Sequence, residues 1–199
     1  MPQLIETQIE RDPIAQFARW FTEAQAAVKH LPEAVALATA RGGRPSVRMV
    51  LLKGYDAAGF VFYTNYASRK ARELQRNPNA SLLFHWAALE RQIRIDGKVE
   101  KVARRDSDAY FATRPRGSQL GAWASPQSAT IADRAALELR YAEAELKYPA
   151  GVPRPPYWGG YRLRPASIEF WQGRLDRLHD RILYTRNRAG RWTVERLAP

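Results

Sequence analysis

Nine strand-length stretches, several joined by segments no longer than a tight turn, set the strongest limit on what this chain can become. They run Ala34 to Ala40, Val47 to Tyr55, Phe60 to Thr64, Ala80 to Trp86, Arg91 to Val102, Tyr161 to Leu163, Ser167 to Gln172, Arg181 to Arg186 and Trp192 to Leu197. The turns Arg41-Gly42-Gly43-Arg44, Asp56 to Gly59 and Arg186 to Gly190 are short enough to fold the chain back beside itself, which makes antiparallel neighbours. Within Arg91 to Val102, Ile93 and Ile95 alternate with Gln92, Arg94 and Asp96, the pattern of a strand with one buried face. Helical segments are interposed. Asp12 to His30 has Asp12 as its cap, Pro13 in the first turn, and Ile14, Phe17, Trp20 and Phe21 on one face. Ser68 to Asn77 is stopped by Pro78. Further helical segments are expected around Asp106 to Thr113, Ser118 to Ala124 and Asp133 to Lys147. Pro149 to Pro156 reads as a surface crossing, because the chain beyond it is too short for a second domain. The pattern predicts one domain over residues 1–199, a mainly antiparallel β-barrel with peripheral α-helices. The N-terminal helix falls at about 12–30 and a helical insertion at about 106–148.

Composition narrows the function classes. A chain of 199 residues can bury a sizeable core, and 45% hydrophobic with 26% charged residues excludes an intrinsically disordered protein. No apolar run is long enough to cross a bilayer, and the first eleven residues lack the layout of a secretory signal. The absence of cysteine removes disulfide and thiolate chemistry. A cytoplasmic protein that does not enter a membrane is the expectation. The net charge of +12 admits a solvated basic surface, nucleic-acid binding, or sites for small phosphorylated ligands. Composition alone does not rank these. The basic residues recur beside apolar strand residues with no basic tail or block, which weakens the case for a nucleic-acid arm.

Three stretches stand out chemically. In Tyr63 to Lys70 a strand ends and a helix begins at Ser68 with Arg69 and Lys70 in its first turn. Cations there oppose the helix dipole, whereas a phosphate would be met by backbone N–H groups, a hydroxyl and two positive side chains. A solvated basic helix start is the alternative. In Arg48 to Lys53 two cations bracket an apolar strand, and strict alternation puts them on opposite faces. They either emerge into water or line a pocket for an anionic aromatic ligand. The segment Phe170 to Arg181 combines an aromatic strand, a glycine, His179 and several arginines, so it is either a charged hairpin or a site for proton exchange and anion binding. Gln92, Gln127 and Ser128 could hydrogen-bond a heterocycle. The three histidines have no metal-ligand spacing, and no phosphate-binding glycine loop or nucleophile elbow occurs, so no metal site is expected.

Taken in order, these stretches resemble the pyridoxine/pyridoxamine 5′-phosphate oxidase family. The resemblance runs from about Asp12 to Pro199 and rests on Arg48-Met49-Val50-Leu51-Leu52-Lys53, Phe62-Tyr63-Thr64-Asn65, Ser68-Arg69-Lys70 and Leu89-Glu90-Arg91-Gln92. It continues through Tyr110-Phe111, Arg114-Pro115-Arg116, Ser118 to Trp123, Gln127-Ser128 and Trp158-Gly159-Gly160. Phe170 to Gly173, Arg177 to Arg181 and Arg196 to Pro199 complete it. It implies an FMN-binding split β-barrel and a homodimer with flavin sites at the subunit interface. Carried over by position, Arg48, Met49, Val50, Leu51, Leu52, Lys53, Tyr63, Thr64, Arg69, Lys70, Gln92, Gln127, Ser128, Trp171 and Arg181 would hold FMN. Lys53, Tyr110, Arg114 and Ser118 would hold the substrate phosphate, with Arg177, Leu178 and His179 over the ring and Arg177 and His179 as the catalytic pair. The implied reaction oxidises pyridoxine or pyridoxamine 5′-phosphate to pyridoxal 5′-phosphate, with hydride passing from C4′ to FMN and O2 returning as H2O2. Nucleic acid and membrane are not expected partners. Relatives often carry a longer N-terminal arm that covers the substrate, and here Glu6 and Glu10 occupy the short stretch before the first helix.

Overall fold

The computed structural model describes residues 3–199, in which nine strands form one sheet whose pairings are antiparallel. In chain order they are α1 (Pro13–Ala27), β1 (Ala34–Arg41), β2 (Arg44–Leu51), β3 (Gly54–Asp56), β4 (Gly59–Asn65), α2 (Arg69–Arg76), β5 (Asn79–Trp86) and β6 (Arg91–Lys101). Then follow α3 (Arg104–Ala112), α4 (Arg116–Ala124), α5 (Arg134–Lys147), β7 (Trp158–Gln172), β8 (Asp180–Arg186) and β9 (Trp192–Arg196). The spatial order is β2-β1-β5-β6-β7-β4-β3, with β8 also on β7 and β9 on β8.

Two sequence expectations are corrected here. The single strand expected over Val47 to Tyr55 is two strands, β2 and β3, at opposite ends of that order. The chain changes partner at Leu52, whose N–H donates to Glu33 on the β1 side, and at Lys53, whose N–H donates to Val61 on β4. That crossing closes the barrel. It also removes the parity problem of Arg48 and Lys53, because no regular strand connects them. Conversely, Tyr161 to Leu163 and Ser167 to Gln172 are parts of one strand, β7. The intervening Pro165 suggested a break, since proline cannot donate to a ladder. A register shift between Asp96 and Gly97 absorbs it, with Pro165 opposite Gly97. A side chain at Gly97 would lie 2.1 Å from the Arg164 carbonyl oxygen, so only glycine lets the two backbones approach there. Long β7 divides one of its edges, pairing Trp158–Leu163 with β4 and Ser167–Gln172 with β8.

The helix α1 caps as expected, Asp12 accepting from the Ile14 N–H, but ends at Ala27. Its apolar face plugs the barrel: the Phe17 ring lies 4.9, 4.8 and 5.3 Å from those of Tyr55, Phe60 and Phe84. Burying such a ring contributes roughly 2–3 kcal/mol. Buried Arg91 on β6 ties this helix down, pairing with Glu23, hydrogen-bonding Gln172 at 2.8 Å and lying over the Trp20 ring. The insertion α3–α5 leaves the sheet after β6 and returns at β7, which puts the end of β4 beside the loop that follows α4.

Candidate active site

The strongest polar cluster lies where β2 faces the start of α2. Ser68 caps α2, its hydroxyl accepting from the Ala71 N–H, and the first turn carries no acidic residue. One turn on, Glu73 is buried and joins both elements. Its carboxylate accepts from Thr39 at 2.5 Å, Ser46 at 2.8 Å, Arg48 at 3.0 Å and Arg69 at 2.9 Å. Burial pushes the Glu73 pKa up, but the hydrogen bonds from Thr39, Ser46, Arg69 and Arg48 outweigh it and bring the pKa to about 2. Arg48 also donates to Thr39 at 2.6 Å and to the Leu37 carbonyl. Its guanidinium therefore braces the strand pair.

Lys70 differs. Its Nζ donates to Thr64 Oγ1 at 3.2 Å and Gln127 Oε1 at 3.1 Å, both neutral oxygens. Burial and nearby Arg48 push its pKa down, with Glu73 acting against them. A half-buried ammonium held only by neutral acceptors is a seat for an anion. That is the fit the flavin phosphate requires, with Arg69 and Ser68 beside it at the helix start. Ser128, next to Gln127, holds a left-handed backbone at φ 71, uncommon for a residue with a side chain.

A second seat adjoins the first. Tyr63, the neighbour of Thr64 on β4, stacks on Tyr110 with ring centroids 3.9 Å apart and on Trp158 at 5.5 Å. The Arg114 guanidinium sits over Trp158 at 4.7 Å, and its buried Nη1 has no hydrogen-bond partner among the described residues. Burial lowers the Arg114 pKa, with Tyr110 acting against that shift. Burial also raises those of Tyr63 and Tyr110. Lys53 lies near the same slab, 3.7 Å from Glu33, whose charge also acts on Tyr110. Ser118 is exposed in the first turn of α4, four residues beyond Arg114.

The remaining expected residues lie elsewhere. Gln92, Trp171 and Arg181 are directly opposite one another on β6, β7 and β8, so they share one face. His179 lies against Trp171 with rings 4.5 Å apart, and its Nδ1 accepts from the Arg174 N–H at 3.2 Å. In the neutral ring this leaves the proton on Nε2. The turn before it, Leu175–Arg177, contains two successive left-handed residues, Asp176 at φ 56 and Arg177 at φ 62. Each costs about 1–2 kcal/mol outside glycine, and such strain gathers at working sites. Leu178 is exposed. Trp158 and Trp171 are thirteen positions apart along β7, roughly 40 Å of extended chain. The two groups thus lie toward opposite ends of one strand.

Sequence reasoning missed Glu73, Thr39 and Ser46. The spacing Arg69 to Glu73 was the available signal for the first. It also gave no site role to Trp158, quoted only within its glycine motif, or to His85, which lies opposite Gln92 in the same sheet row.

Comparison with known proteins identifies this arrangement. The chain superposes on the structure of PhzG from Burkholderia lata 383 in complex with tetrahydrophenazine-1-carboxylic acid, with a TM-score of 0.93, 35% identity and 100% and 98% of the two chains covered. A pyridoxamine 5′-phosphate oxidase-related, FMN-binding protein from Nostoc punctiforme PCC 73102 shares the fold, with a TM-score of 0.76 at 20% identity over 96% and 100%. The class is therefore the FMN-binding split barrel. Residues 21–148 match the pyridoxamine 5′-phosphate oxidase family model, and residues 158–199 match the pyridoxine 5′-phosphate oxidase C-terminal dimerisation region. Proteins named pyridoxine/pyridoxamine 5′-phosphate oxidase are 55% identical in Herminiimonas arsenicoxydans and 58% in Rubrobacter xylanophilus, with 98% of this chain and 93% and 91% of theirs covered. The chain belongs to the pyridoxine/pyridoxamine 5′-phosphate oxidase family of FMN-dependent enzymes.

Proposed function

We propose that this single split-barrel domain, as a homodimer, oxidises pyridoxine 5′-phosphate and pyridoxamine 5′-phosphate to pyridoxal 5′-phosphate. One observation carries the reading. Two half-buried cations, Lys70 and Arg114, are reached from consecutive residues of β4 on its two faces: Lys70 donates to Thr64, and Arg114 lies over Trp158, on which Tyr63 stacks. Two neighbouring phosphate seats suit a phosphorylated cofactor beside a phosphorylated substrate. Arg69, Lys70, Thr64 and Gln127 would hold the FMN phosphate and Arg48 to Lys53 would contribute to the same cofactor, which would supply a two-electron acceptor that O2 restores with release of H2O2.

The protein's own residues bind and orient. Arg114, Tyr110, Lys53 and Ser118 take the substrate phosphate, which fixes the pyridine ring relative to the flavin site. Arg177 and His179 close over the ring. With Nδ1 engaged by the Arg174 N–H, neutral His179 offers Nε2–H as a donor to the oxygen or nitrogen on C4′. It therefore orients that group, and the departing proton goes to water; with the amine substrate, water then hydrolyses the resulting imine to the aldehyde and releases ammonia. Because Trp171, Arg177 and His179 lie toward the far end of β7 from Tyr63 and Arg114, a second subunit is proposed to bring them to the site. The apolar row Met49, Ala36 and Leu83, in register across β2, β1 and β5 and exposed at Met49 and Leu83, supports such a covered face.

The test is anaerobic. FMN-loaded protein is mixed with pyridoxine 5′-phosphate and the oxidised-flavin absorbance is followed. Bleaching, then recovery in air, is the expected result. Bound flavin that stays oxidised with both the pyridoxine and the pyridoxamine phosphate would overturn the reading.

A further inference from the structure

The turn between β1 and β2 and the first turns of α2 form a cationic pocket in which Arg41, Arg44 and Arg72 have no role above. Arg41, Gly42 and Arg44 from the turn and Arg69, Arg72 and Glu73 from α2 line an open space of about 500 Å3. Glu73, the one carboxylate in this lining, is already engaged by Arg48, Arg69, Thr39 and Ser46. It cannot also neutralise Arg41, Arg44 and Arg72.

Local stability does not account for these charges. Arg41 and Arg44 are exposed and stand directly opposite each other in the hairpin register, a placement in which like charges destabilise the strand pair. On the other wall, Arg69 and Arg72 sit in a helix first turn that lacks any acidic residue, where the dipole disfavours them. Two adjoining elements each carry cations against their own interest, and the charges converge on one space. Arg69 belongs to both the pocket and the proposed flavin-phosphate seat, so the two are contiguous.

We propose that this pocket is an outer capture site for a phosphate monoester: it draws the phosphate of incoming FMN from solvent and passes it inward to Arg69 and Lys70. The proposal rests on the flavin reading above. A cleft lined by one sign of charge raises association rates by about 10- to 1000-fold, an effect that salt screens. Arg41 and Arg44 act before the flavin is seated, so they alter the rate of loading and not the rate of release.

The experiment is stopped-flow quenching of FMN fluorescence by the full-length chain stripped of flavin, wild type against R41Q/R44Q, at low and high salt. The double variant is expected to load FMN roughly 3- to 10-fold more slowly at ~10 mM salt. Its release rate should be unchanged, and the difference should vanish near ~0.5 M salt. Riboflavin, which has no phosphate, should associate equally with both proteins. Equal loading rates at low salt would overturn the proposal, as would a faster release that accounts for the whole change in affinity. An equal slowing with riboflavin would also overturn it, because the arginines would then act through shape. If wild-type protein fails to quench FMN at all, the flavin reading falls and this proposal with it; if quenching is intact but rates match, only the proposal falls.

Discussion

Replacing Glu73 by glutamine tests the buried network beneath the proposed flavin-phosphate seat. The carboxylate side chain is only 7% exposed and is met by two hydroxyls and two guanidinium groups. Burial alone would raise its pKa, yet these donors bring it from 4.5 to about 2. At 1.36 kcal/mol per pH unit, a drop of that size corresponds to about 3 kcal/mol of folding stability. The sign follows from the direction. A carboxylate with a depressed folded-state pKa stabilises the fold fully above its ordinary value, and the contribution is lost as pH falls from about 4.5 toward 2. Glu73→Gln abolishes that contribution without emptying the space. Urea unfolding of flavin-free protein, at one protein concentration and a series of pH values, should give wild type an advantage of about 3 kcal/mol near pH 6. The advantage should shrink to under about 1 kcal/mol as pH approaches 2. Glu6, also near pKa 2 through its hydrogen bonds to Arg196 and its own backbone, is half exposed, is present in both proteins, and cancels in the difference. A gap between the two proteins that stays constant across the series would refute the reasoning, because it would mean the hydrogen bonds do not select the charged form.

Two further outcomes separate the proposed roles. Arg177→Ala should lower turnover by about 100-fold while the flavin content of the purified protein, read by absorbance, stays close to wild type; equal loss of both would withdraw the assignment. Arg114→Met should raise the KM for pyridoxine 5′-phosphate by roughly 10- to 100-fold, the worth of a charged hydrogen bond, with FMN affinity by fluorescence titration unchanged, and a matching loss of FMN affinity would move Arg114 to the cofactor.

Much of the fold was legible because period-2 alternation and turn chemistry are local. The Ile93 and Ile95 alternation gave β6, and the Gly42-Gly43 pair, at φ 55 and 74, gave the β1–β2 turn. The failures were non-local. Nothing between Leu51 and Gly54 announces that the chain leaves β1 for β4, because the partners Glu33 and Val61 are distant in sequence. Pro165 reads as a break until Gly97, far earlier in the chain, is known to lie opposite. The site divides the same way. Ser68-Arg69-Lys70 was readable from helix-start chemistry, whereas the Glu73 network depends on Thr39, a polar residue on the buried row of an apolar strand. Most of the individual site residues came from family resemblance, which carries identity and order but no account of which residues can reach one another.

The geometry supplies that account, and it joins the strained and uncompensated features of this chain into one pattern. Arg41 against Arg44, Arg69 and Lys70 in a helix first turn, the left-handed Ser128, Asp176 and Arg177, and the unpartnered Arg114 nitrogen each cost the isolated chain stability. Each lies in a segment proposed here to meet a phosphate, a flavin or a second subunit. The sheet meanwhile is satisfied by its own ladders, with Gly97 and the Leu52–Lys53 crossing resolving its irregular points. Folding is thus assigned to residues that need nothing from outside, and ligand capture to residues that are compensated only when a partner arrives. Anything that binds the folded state alone stabilises it by mass action, so under the proposed assignments cofactor, substrate and second subunit would each offset a different defect. An assembly built this way gains stability as its site fills.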